Sequence, residues 1–184
     1  MTLIPVSDIE TALQHREQGF LIAGERNGDK LEAFDFGNSP LEFSRENVKG
    51  KTIAMTTTNG TRAFAAGNNQ HCIAASMLNF SAVVAYALSA QTDVLFLCSG
   101  WTMKMNIEDS LLAGAFANEL LTSPMFYSES DSIAIAQSML KSAGNDWLSY
   151  ILNASPRLRS KQNTLQKDME WALQKDYTDI VPVL

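Results

Sequence analysis

The residues best suited to chemistry lie just after apolar runs. The first group is Thr56-Thr57-Thr58-Asn59-Gly60-Thr61-Arg62. It sets a run of hydroxyls before a flexible Asn-Gly and an arginine at a helix start. Helix starts carry unpaired N–H groups and partial positive charge, and arginine can grip a phosphate with two parallel hydrogen bonds. Thr57, Thr58, Asn59, Gly60 and Arg62 therefore suit an anion. The same residues also suit a strand end, a turn and an N-cap beside an exposed arginine. The lysine and glycine spacing of a Walker loop is absent.

A second group runs Ser99-Gly100-Trp101-Thr102-Met103-Lys104-Met105-Asn106-Ile107-Glu108-Asp109. Glu108 and Asp109 are adjacent carboxylates in a first helical turn. Hard cations such as Mg²⁺ take carboxylate oxygens and keep several waters. Acids at that place also simply complement the helix dipole, and neighbouring helical positions point about 100° apart. Met103 and Met105 beside Trp101 read first as core packing. In a third group, Gly24-Glu25-Arg26 with Asp35-Phe36-Gly37-Asn38-Ser39-Pro40, Arg26 suits an anion and Asp35 a cation. A solvated turn and an Asn/Ser cap before Pro40 fit equally well. His15 and His71 form no constellation with a nucleophile.

These groups need elements to position them. Leu3–Val6 reads as a strand, followed by a Ser7-x-x-Glu10 capping box and a helix stopped by Gly19. Phe20–Ala23 is the next strand, and residues 24–30 form a loop or hairpin. Thr52–Thr57 is a strand rich in β-branched residues, and a short helix opens at Thr61. Cys72–Ala75 reads as a strand, and Asn79 or Ser81 caps a helix carrying Val83, Val84, Ala87 and Leu88. Asp93–Cys98 reads as a continuous apolar strand covered on both faces. Asn106 caps a helix from about Ile107 to Leu121. Helices follow beyond Thr122, with Asp179–Leu184 as a closing strand. The expected class is α/β: a largely parallel or mixed sheet flanked by helices, in one domain over 1–184, with a mostly helical portion at 123–178. Ligands in such sheets bind at the carboxyl ends of strands.

The 184 residues are 46% hydrophobic and 18% charged, which supplies a core and argues against disorder. A formal charge of -6 counts against non-specific nucleic-acid binding and against anionic membranes. No apolar stretch is long enough to span a bilayer. Neither a signal peptide nor a disulfide framework is expected: the two cysteines, Cys72 and Cys98, read as buried thiols on strands, which fits a cytoplasmic setting. An uncovered sheet edge would favour self-association, so a homo-oligomer is among the expected partners.

Taken together, Ile4-Pro5-Val6, Ala23–Arg26, Phe34–Pro40, Thr56–Arg62, Leu97–Gly100 leading to Glu108-Asp109, Ala113–Ala115 and Asp179–Val183 resemble the 2-phosphosulfolactate phosphatase family. The likeness runs over nearly the whole chain. It implies a Mg²⁺-dependent α/β phosphatase that hydrolyses 2-phosphosulfolactate to 3-sulfolactate and phosphate, a step of coenzyme M biosynthesis. The family motifs propose Glu25, Arg26, Asp35, Asn38, Ser39, Thr57, Thr58, Asn59, Gly60, Arg62, Glu108 and Asp109 as site residues. In our own division of roles, Asp35, Arg62 and Glu108 are expected in catalysis; Arg26, Asn38, Ser39, Thr57, Thr58, Asn59, Gly60 and Lys104 on the phosphate ester; and Glu108, Asp109 and Glu25 on the metal. Arg26 or Lys104 would take the sulfonate. Family members normally begin with a further strand–helix segment bearing Asp-Val-x-Arg-Ala-Thr, and the present sequence opens after it. The alternative expectation is therefore a non-catalytic anion-binding or partner-binding remnant. A dinucleotide enzyme is disfavoured, because no Gly-x-Gly-x-x-Gly fingerprint occurs.

Overall fold

The computed structural model describes residues 1–67 and 71–184. The chain divides into two compact units. Unit 1 is Met1–Gln70 with Trp101–Met103, and unit 2 is His71–Gly100 with Lys104–Leu184.

Unit 1 is built on a mixed sheet. Its strands are β1 (Thr2–Pro5), β2 (Leu21–Arg26), β3 (Asp29–Lys30) and β4 (Thr52–Thr56), in the order β1-β4-β2-β3. β4 runs parallel to both β1 and β2, while β3 is antiparallel to β2. Alternation along the strands decides which face each side chain covers. Ile22 and Ala54 point to one face and pack with Val6, Ala12 and Phe34. Ala23 and Ile53 point to the other and pack with Val48, Phe36 and Phe43. The first face is covered by α1 (Ile9–Glu17). Its cap is Asp8, whose carboxylate accepts from the Thr11 N–H at 2.8 Å, so the expected Ser7 capping box does not form. Ser7 instead donates its hydroxyl to Asp8. Those two bonds hold the Asp8 carboxyl down at about 2. Two short helices complete the unit: α2 (Arg45–Val48) before β4, and α3 (Gly60–Ala66) after it.

Unit 2 is helical. It contains α4 (Phe80–Ala90), α5 (Ile107–Leu120), α6 (Asp131–Ala143), α7 (Trp147–Ala154), α8 (Pro156–Ser160) and α9 (Gln162–Ala172). Phe80, Val83, Val84 and Ala87 of α4 pack against Phe116 and Leu120 of α5. Leu111 and Ala143 pack with Ile151, Leu152 and Leu158. The start of α4 is capped from far along the chain. Asp176 accepts from both the N–H and the hydroxyl of Ser81, each at 2.7 Å, which keeps its carboxyl below the usual range.

Three expected strands are absent. Asp93–Cys98 lies outside every strand, and none of its backbone groups pairs with a described residue. Phe96 packs on Phe116, but the apolar side chains on either side of it are largely uncovered: Leu95 is 87% exposed and Leu97 52%. Cys72–Ala75 and Asp179–Leu184 form a single bridge, Ile73 to Val183, supported by two neighbouring backbone hydrogen bonds. Both segments are apolar, but a strand exists only where another backbone answers its N–H and C=O groups. The expectation of buried thiols on strands fails with them. Cys98 is exposed and Cys72 half-buried. Met103 and Met105 are exposed as well, not core residues.

Candidate active site

The residues with chemical promise fall into two groups, one in each unit. In unit 1, β2 and β4 end side by side because Gly24 allows it. A Cβ on Gly24 would sit 2.0 Å from the Thr56 carbonyl oxygen, and its φ of +153° disfavours any side chain. The chain then turns at Asn27-Gly28, both with positive φ, as a two-residue hairpin demands.

That turn is stitched to the loop after β4. Glu25 is only 4% exposed, and its carboxylate takes three protein donors. Oε1 accepts from the Thr58 N–H at 2.6 Å. Oε2 accepts from the Gly28 N–H at 2.6 Å and from the Thr58 hydroxyl at 3.1 Å. The Thr58 hydroxyl in turn accepts from the Asn27 N–H at 3.2 Å. Arg26 reaches across to the Thr56 hydroxyl at 3.0 Å and back to the Glu25 carbonyl at 2.7 Å.

The loop itself is closed by Thr57 and Thr61. The Thr61 N–H donates to the Thr57 hydroxyl at 3.1 Å, and the Thr61 hydroxyl donates to the Thr57 carbonyl at 3.0 Å. The Arg62 N–H is taken by the Asn59 carbonyl. The sequence pattern offered every amide from Asn59 to Arg62 to an anion. The structure narrows that set: among the described residues only the Asn59 and Gly60 N–H groups of this loop's start have no partner. The Arg62 side chain is exposed, with no partner among the described residues. Asn59 has a different anchor, its side-chain oxygen accepting from the Thr102 N–H at 2.9 Å.

The other unit 1 candidates are engaged apart from this loop. Asp35 accepts from the Ile22 N–H at 2.8 Å and pairs with Arg16 at 3.1 Å. Partial burial pushes its carboxyl up, but these two contacts outweigh that and leave it lowered. Ser39 caps the turn at Pro40–Glu42, accepting from the Leu41 N–H, and Asn38 is exposed. His15 stacks on Phe20, and His71 in unit 2 stacks on Tyr86 and meets its hydroxyl, so neither faces a nucleophile.

In unit 2 the group sits at the start of α5. Glu108 Oε1 accepts from Arg157 and from the Asn106 side-chain amide at 3.2 Å. Its other oxygen, Oε2, is buried with no partner among the described residues, and so is Asn106 Oδ1. Asp109 accepts from the Gly100 N–H at 2.9 Å. Asn106 read in the sequence as an N-cap, yet its side chain caps nothing. Its orphaned oxygen was the signal that residue type alone could not give. Unpaired buried oxygens are costly unless something answers them. Both are hard oxygens of the kind Mg²⁺ accepts, and Asp109 follows them in sequence. Among the described residues no three His, Cys, Asp or Glu side chains form a group that could hold a metal ion. Lys104 is exposed nearby in sequence.

A family model for 2-phosphosulpholactate phosphatase matches residues 1–184. The chain belongs to the 2-phosphosulfolactate phosphatase family. Among its relatives, a probable 2-phosphosulfolactate phosphatase of Thermotoga petrophila is 40% identical over 182 residues, covering 99% of this chain and 78% of the relative. Those of Thermotoga maritima and Caldanaerobacter subterraneus are each 38% identical, covering 99% of this chain and 78% and 77% of theirs. The family is one of phosphoric monoester hydrolases, which sets the chemistry against which the loop and the α5 start are to be read. Among the described residues no helix is long and apolar enough to cross a membrane.

Proposed function

We propose that this chain hydrolyses 2-phosphosulfolactate to 3-sulfolactate and phosphate, with Mg²⁺ as cofactor, as a step of coenzyme M biosynthesis. Family membership supports the reaction class. One observation carries the reading at residue level: the N–H groups of Thr57, Thr58, Thr61 and Arg62 are taken, whereas among the described residues the Asn59 and Gly60 N–H groups and the Arg62 guanidinium have no partner. All three are donors, and Arg62 adds a full positive charge. That is the equipment a phosphoryl group needs.

In the reaction, a water oxygen bonds to phosphorus while the bond from phosphorus to the ester oxygen breaks. A proton from the water ends on the leaving oxygen. Charge spreads over the phosphoryl oxygens, where Arg62 and the two amides stabilise it. Asp35 is a poor proton donor, because Arg16 and the Ile22 N–H hold it ionised. Arg26, in the same unit as the loop, is the candidate for the sulfonate. Glu108 Oε2, Asn106 Oδ1 and Asp109 would hold Mg²⁺, which supplies charge neutralisation and a more acidic bound water.

The test is phosphate release from 2-phosphosulfolactate by the purified chain, with Mg²⁺ and with EDTA. Mg²⁺-dependent release that falls on Arg62→Ala by roughly 10²–10³-fold supports the proposal. Unchanged turnover in Arg62→Ala removes Arg62 from the mechanism. Phosphate binding without release favours the remnant reading.

A further inference from the structure

The residue types in the sequence place Glu25 among the expected metal ligands. Its surroundings assign it a different task. We infer that Glu25 is a positioning residue: it moulds the Thr57–Arg62 loop by bracing the hairpin turn against it, and it does not bind the metal. The inference rests on the proposed anion-binding role of that loop.

The argument begins with the hydrogen-bond inventory. An ionised carboxylate has about four acceptor sites, and three of Glu25's are filled by protein donors. Two of the three are backbone N–H groups at 2.6 Å, one from each of two loops. The carboxylate oxygens are thus answered by N–H and O–H dipoles rather than by a cation. A metal at this carboxylate would have to displace donors that already hold a side chain only 4% exposed.

What this bracing does is local. Glu25 takes the Thr58 N–H out of the anion's reach and fixes the peptide next to it. The following two amides, of Asn59 and Gly60, are then the ones left free. Gly24 brings β2 close enough for the span, and the Thr58 hydroxyl links onward to Asn27. The hairpin turn thus acts as a template for the substrate loop, and Glu25 is the contact between them.

Glu25→Gln tests this with almost no change of shape. A glutamine has one acceptor oxygen, so either the Gly28 or the Thr58 N–H must face an NH₂ group. Three readouts apply: amide hydrogen exchange at Thr58 and Gly28, titration with inorganic phosphate, and titration with Mg²⁺ alone. The expected result is faster exchange at one of these two amides, phosphate affinity weakened roughly tenfold, and Mg²⁺ affinity unchanged. Exchange unaltered at both Thr58 and Gly28 overturns the inference, as does a tenfold loss of Mg²⁺ affinity with the loop intact. Should Glu25→Gln not fold, Thr58→Val removes only the hydroxyl link. It should weaken phosphate roughly two- to threefold with little change in melting temperature, and unchanged phosphate affinity would overturn the inference. Exchange is read without turnover. Faster exchange in Glu25→Gln together with a wild-type chain that releases no phosphate from substrate would therefore sink the proposed reaction while the role of Glu25 stands.

Discussion

β4 and Asp93–Cys98 are the same kind of sequence with opposite fates. Thr52-Ile53-Ala54-Met55-Thr56 and Asp93-Val94-Leu95-Phe96-Leu97-Cys98 are both short apolar runs that lead into a polar loop. β4 has a parallel neighbour on each side, and Ile53 and Ala54 are completely buried. Asp93–Cys98 has no backbone partner among the described residues, and Leu95 is almost fully exposed. The loops differ to match. After β4, Thr57–Arg62 is braced by a carboxylate from the adjacent strand. After Cys98, the Gly100 N–H reaches the Asp109 carboxylate nine residues on. An apolar run makes a segment ready to be a strand. Neighbouring backbones make it one, and they also deliver the groups that shape the loop beyond.

Hydrogen exchange should show the largest contrast. Amides of Ala54 and Met55 exchange only on broad unfolding, whereas those of Leu95–Leu97 exchange near the rate of unprotected chain. Strong protection at Leu95 would mean that the segment is paired in solution and would break the comparison. Side-chain truncation sharpens it. Ile53→Ala should cost about 2–5 kcal/mol in urea unfolding, because it opens a cavity in a packed face. Leu95→Ala should stay within about 0.5 kcal/mol. Equal losses would show that Leu95 is covered.

The smallest expected effect concerns α1, which packs on one face of β4. The Asp8 carboxyl sits at about 2 when folded, below its ordinary 3.8. A lowered folded value means that its contribution is present above the ordinary value and is lost as pH falls through the folded one. The stability gap between wild type and Asp8→Asn should therefore hold at pH 5 and close between pH 4 and 2. A gap that widens on acidification would contradict the cap.

Much of unit 1 was legible in the sequence. The β-branched run before Thr57, the Asn27-Gly28 turn and the hydroxyl-rich loop all carry local signals, and each appears near its expected bounds. The helices of unit 2 were legible for the same reason, since a helix satisfies its own backbone. Asp93–Cys98 was misjudged because strand pairing is non-local. Ser7 lost the cap to Asp8 by one position, a choice between two good capping residues. Within the site, residue type pointed to Glu25 but could not distinguish a metal from three N–H and O–H donors. Asn106 read as a cap and not as a candidate ligand, because only the folded chain shows its side-chain oxygen with no partner among the described residues.

The central claim is that the loop after β4 holds a phosphate through the Asn59 and Gly60 amides and Arg62. Titration of the ¹⁵N-labelled chain with inorganic phosphate, followed by amide chemical shifts, tests it directly. The account predicts saturable shifts centred on Asn59 and Gly60, smaller ones at Thr58 and Thr61 whose N–H groups are already taken, and loss of saturation in Arg62→Ala. Shifts absent from Asn59 and Gly60, or unaltered by Arg62→Ala, would contradict it.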